Sequence, residues 1–162
     1  MEWNLRTRCC AVHSAVAVVT HVGVNVTELV AWYYPGQTVD VELRGPQDVD
    51  GVLDDLVRRG EPVAAQLFDR DDPAGPLLTV GVDGPRGRGA LCHVDGGEVW
   101  IGEGTGGPVR YLMIGLDWDF PANAELPLAV VRAAVHEYAR GGGQRPGGLR
   151  WRLDRPPRPE VT

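Results

Sequence analysis

The sequence predicts an α+β fold, a mostly antiparallel sheet with two main helices packed on one face. Three observations carry that expectation. Between residues 63 and 120 the chain passes through short segments rich in β-branched and aromatic residues, separated by turn signals. Two other segments, 46–62 and 127–141, place apolar residues at helical spacing. The resulting order is strands, helix, a run of strands, helix, strand. Helices gathered on one face of an antiparallel sheet is the economical packing of that order.

Each element has its own signal. ELVAWYY (28–34) and TVDVEL (38–43) read as strands, with Pro35-Gly36 as the turn between them. In 46–62, Val49, Val52, Leu53, Leu56 and Val57 form one apolar stripe. Asp48 is the expected N-cap, and Gly60 and Pro62 end the helix. VAAQLF (63–68) and LLTVGV (77–82) are strands flanking an acidic loop, DRDDPAGP. GALCHV (89–94) and EVWI (98–101) meet through Asp95-Gly96-Gly97, a hairpin signal. GEGTGG (102–107) lacks the fixed pattern of a phosphate loop and reads as a flexible turn. VRYLMIGLDWDF (109–120) reads as one strand. Pro127 suits a first helical turn, and Val131, Ala134, Val135 and Tyr138 recur at helical spacing. Gly141 is the expected positive-φ cap, Pro146 bars renewed helix, and 149–153 closes as a strand with Leu149, Trp151 and Leu153 on one face.

Length and composition bound the function. A chain of 162 residues is most simply one domain, here 27–153. Residues 1–26 form an N-terminal extension, and 154–162 a Pro-rich tail. The extension faintly resembles a signal peptide, but His13, Ser14, Thr20 and His21 interrupt it and no cleavage site follows, so a cytoplasmic protein is expected. No apolar run is long enough to span a membrane. A net charge of −6 opposes direct nucleic-acid binding and suits a partner with a basic surface. All sixteen basic residues are Arg, which excludes Schiff-base chemistry on lysine and a Walker lysine. Three cysteines, two of them adjacent, make no disulfide framework.

No catalytic constellation stands out. Cys92 and His93 are neighbours on a strand and point to opposite faces. His136-Glu137 lacks the second histidine of a zinc helix because residue 140 is Arg, so no metal site and no cofactor are expected. The acidic residues Asp69, Asp71 and Asp72, with Asp95, Glu98 and Glu103 near other turns, are the candidate contacts for a basic partner.

The stretch WDFPANAELPLAVVRAAVHEYARGGGQRPGGLRW resembles the ending of the first family of bacterial immunity proteins (the Imm-one type) of polymorphic toxin systems. The matching positions are Trp118, Phe120, Pro121, Pro127, Ala133, Ala134, Tyr138, Gly143, Arg145, Pro146 and Trp151, and the likeness extends over roughly 27–153. The resemblance implies a small cytosolic α+β protein that binds and neutralises a cognate toxin, commonly a deaminase or nuclease. Such inhibition is by binding and needs neither catalytic residues nor a cofactor. Trp118, Pro121, Gly143, Arg145, Pro146 and Trp151 are then expected to be architectural. The departures are the extension 1–26 and the extra glycines at 141–143 and 147–148. The competing reading is a small enzyme or ligand-binding protein of secondary metabolism on the same scaffold, which would use Cys92, His93 and His136.

Overall fold

The computed structural model describes residues 28–155, so the extension 1–26 and all but the first two residues of the tail lie outside the described residues. The elements are β1 (Leu29–Trp32), β2 (Val41–Glu42), α1 (Pro46–Arg58), β3 (Val63–Asp69), β4 (Asp72–Asp83), β5 (Arg88–Asp95), β6 (Glu98–Gly102), β7 (Val109–Met113), β8 (Leu116–Phe120), β9 (Leu126–Pro127), α2 (Leu128–Arg140) and β10 (Trp151–Leu153). The main path of the sheet runs β10-β6-β5-β4-β3-β1-β2. All pairings are antiparallel except one contact between β3 and β7, where Val63 faces Leu112. The expected α+β class is therefore what the chain adopts.

Both faces of the central strands are buried, which explains why those strands read as nearly continuous apolar runs. Leu78, Val80 and Val82 of β4, with Leu91 of β5, join α1 and α2 in one core. On the opposite face Ala64, Ala90, Cys92 and Ile101 pack against Tyr111, Met113, Phe120 and Ala124. That second core is roofed by β7 and β8. The structure here corrects the single strand expected at 109–120. Ile114 (φ 50°) and Gly115 (φ 77°) reverse the chain, and Met113 pairs with Leu116. A β-branched residue seldom adopts positive φ, so the sequence masked the turn.

The helices follow their stripes. Val49, Val52, Leu53 and Leu56 are the buried residues of α1, and Val131, Ala134, Val135 and Tyr138 those of α2. Their boundaries differ from expectation. α1 starts at Pro46, with Gly45 as cap. Asp48 sits in the first turn, and its carboxylate accepts a hydrogen bond from the Arg44 N–H at 2.9 Å, so it secures the helix start from inside. At the end of α2, Gly141 has φ −84°, and the positive values fall on Gly142 (64°) and Gly143 (92°). β10 begins at Trp151, two residues later than expected. The β1–β2 connection is held by buried Gln37, whose amide donates to Ala31 O and Val39 O while its oxygen accepts from Tyr33 N.

Candidate functional site

Strand direction decides which of the acidic candidates meet. Phe68, Leu77, Val94 and Val99 lie on one row across β3, β4, β5 and β6. Just beyond that row β3 turns into β4 and β5 into β6, so both hairpin ends project from the same end of the sheet. Asp69, Asp71 and Asp72 occupy the first, and Asp95 and Glu98 the second. Asp71, Asp72, Asp95 and Glu98 are exposed. Glu103 follows β6 and lies at the opposite end, so the sheet does not bring it to the other five.

Arg70 does not neutralise the end it belongs to. Its Nε donates to Asp40 at 2.8 Å, Nη1 to Glu28 at 3.1 Å and Nη2 to Glu42 at 3.1 Å. Those carboxylates flank β1 and β2, so the guanidinium is drawn toward that edge of the sheet. Asp69 shapes the turn instead, its Oδ1 accepting from Asp71 N at 2.9 Å. Asp71 and Asp72 remain outside, and neither makes an ion pair within the described residues.

The loop after α2 lies close to the same end. Gly143 O meets His93 Nε2 at 3.0 Å, so that nitrogen carries the proton. Trp151 Nε1 donates to Pro146 O at 2.7 Å, and Pro146 is buried. Glu137 accepts from the N–H groups of Gly147 (2.7 Å) and Gly148 (3.2 Å), a small anion nest that fastens the loop to the helix. Arg145 is exposed, and its guanidinium carbon lies 3.9 Å from the centre of the Trp100 ring. Trp100 Nε1 donates to Glu98 at 3.2 Å. The sequence brings Glu137 forward only in the incomplete zinc pattern His136-Glu137, not as a loop contact. An acid in the last turn of a helix opposes the dipole, and that anomaly was the available signal.

A family model described as immunity protein Imm1 matches residues 37–153. The chain belongs to the Imm1 immunity protein family. The matched span takes in both helices, both acidic hairpin ends and the loop that ends in Trp151. A search of curated proteins finds no match.

Within this Imm1 fold the residues of the enzyme reading are scattered. Cys92 is buried in the second core, beneath the β7–β8 hairpin. His93 is 2% exposed and points to the other face, between Tyr138 and Trp151. His136 lies on the helix pair, where its Nε2 meets Asp50 at 2.8 Å beside the Arg132 ion pairs to Asp50 and Asp54. Trp118 and Pro121 belong to the second core's roof and its exit, away from Gly143, Arg145, Pro146 and Trp151. Among the described residues no group of three or more His, Cys, Asp or Glu is disposed to hold a metal ion.

His93 makes stability pH-dependent. Burial lowers its pKa below the usual histidine value, the Gly143 carbonyl and Asp95 oppose that shift, and Arg145 adds to it. Native His93 is thus neutral where an unfolded chain would begin to take up a proton. Its contribution is full above about pH 6.5 and is lost as pH falls through the lower native pKa. Urea midpoints measured from pH 7.5 to 5.5 are expected to fall for the native chain and to fall less for His93→Gln. Parallel curves would contradict this assignment.

Proposed function

We propose that this Imm1 protein is a non-enzymatic immunity protein of the cytoplasm that binds and neutralises a cognate toxin of deaminase or nuclease type. The contact runs through the acidic end of the sheet. The supporting observation is that Asp71, Asp72, Asp95 and Glu98 stand exposed at one end while Arg70 is engaged with Glu28, Asp40 and Glu42. A toxin that handles nucleic acid presents a cationic groove, and an anionic protein face that enters it displaces the substrate by charge. The partner is a protein with a basic surface, and neither nucleic acid nor a membrane is a direct ligand. Among the described residues no helix is long and apolar enough to cross a membrane.

The test is retention of a partner by the full-length chain from a lysate of its own cells, at low and moderate salt. One polypeptide held at 1:1 with a basic face is the expected result. A co-purifying small molecule and no protein would overturn the reading. Once a partner is in hand, the pair Asp71→Arg and Asp72→Arg should slow association about tenfold at low salt, with dissociation little changed. The difference should shrink as salt rises past about 0.1–0.15 M. Asp69 is left alone because its side chain shapes the turn.

A further inference from the structure

We propose that the stacked pair Trp100 and Arg145 is the contact that fixes which partner this protein accepts. This inference rests on the proposed function and goes beyond its charge argument. Its partner is a basic protein face that presents one oxygen acceptor to Arg145.

Both side chains stay at the surface: Trp100 is half-buried and Arg145 exposed. One face of the guanidinium is covered by the ring at 3.9 Å. Its N–H edges make no hydrogen bond to any described residue. A planar donor fork held over an indole is matched to a carboxylate or carbonyl approaching in its plane. The stack sits close to the acidic hairpin ends, because Trp100 pairs with His93 and its indole N–H is held by Glu98.

The surroundings keep this pair in place before any partner arrives. Glu137 fastens Gly147 and Gly148, His93 holds Gly143, and Trp151 holds Pro146. Arg145 therefore stands on a loop tied on both sides, and little side-chain freedom is left to lose on binding. Tryptophan and arginine in a rigid setting have the composition of an interface hot spot. Charge supplies the partner's sign. Asp95 and Glu98 adjoin the stack, and Asp69, Asp71 and Asp72 lie at the same end of the sheet, so Arg145 stands beside a group of carboxylates. A basic face satisfies the carboxylates, and a lone acceptor within it satisfies Arg145. A uniformly cationic polymer satisfies only the first.

The experiment uses the full-length chain and, as probe, an inactive form of the polypeptide that this chain retains from a lysate of its own cells. Affinity is measured for the native chain, Arg145→Ala, Arg145→Lys and the pair Asp71→Arg with Asp72→Arg. Arg145 is exposed, so its variants are expected to keep the native urea midpoint. Arg145→Ala should weaken binding by ~30-fold, and Arg145→Lys should recover little, because an ammonium lacks the planar fork. Hydrogen exchange in the complex should slow at 95–101 and 143–147. Full recovery by lysine would overturn the stacking role. Unchanged affinity in Arg145→Ala, with the acidic pair still sensitive, would overturn this inference and leave the proposed function standing. No binding by any form would remove both.

Discussion

Replacing Tyr138 by alanine is expected to lower stability by about 3–5 kcal/mol, a large share of the roughly 5–15 kcal/mol that holds a domain together. Tyr138 is fully buried on the inner face of α2. Its hydroxyl lies 2.9 Å from Leu67 O and 3.1 Å from Pro76 O, so one proton is shared between β3 and β4. Its ring stands edge-on to His93, and a β-carbon at Gly143 would lie 3.6–3.8 Å from its hydroxyl and ring. Helix, sheet and loop therefore meet on one side chain. Tyr138→Phe keeps the packing and removes only the shared hydrogen bond, and should cost about 1–2 kcal/mol. Urea unfolding at constant slope separates the two. An alanine variant within 1 kcal/mol of the phenylalanine variant would show that the ring, unlike the hydroxyl, contributes little.

The helices were legible because one-sided burial imposes a 3.6-residue period, and the buried positions of both match the apolar stripes read from the sequence. Their ends were less so. Asp48 looks like a cap, yet the chain already turns at Gly45-Pro46, since proline is pre-set for a first turn and its missing N–H costs nothing there. Strand existence was legible from residue type. The break within 109–120 was not, because Ile114-Gly115 carries a β-branched residue where a reversal ordinarily has Asn or Asp.

For the site, aspartates at turns marked both acidic hairpin ends, and alternation along β5 placed Cys92 and His93 on opposite faces. Three features depend on contacts that no local pattern records. Arg70 reaches Glu28 and Asp40 across 42 and 30 residues of sequence. Arg145 reaches Trp100. Glu137 reaches Gly147 and Gly148 only because the glycines fold the loop back over the helix. Glu103 shows the reverse failure: it shares charge with the cluster but follows a strand running the other way, which a charge count does not see.

The unforeseen β7–β8 hairpin makes the second large prediction. Tyr111 is 2% exposed, lies edge-on to Phe120 at 5.5 Å, and presses its ring against the backbone of Gly81. A β-carbon at Gly81 would stand 2.8 Å from that ring, so the hairpin lies flat on the sheet only because β4 has no side chain there. Gly81→Ala should cost about 1–3 kcal/mol by overpacking, and Tyr111→Ala about 3–5 kcal/mol by leaving a cavity. The two changes share one contact. With the ring removed, the extra methyl has room, so the double variant should cost less than the two single losses added together, by roughly 0.5–3 kcal/mol. Strict additivity in urea unfolding would mean that the ring and the glycine do not press on each other.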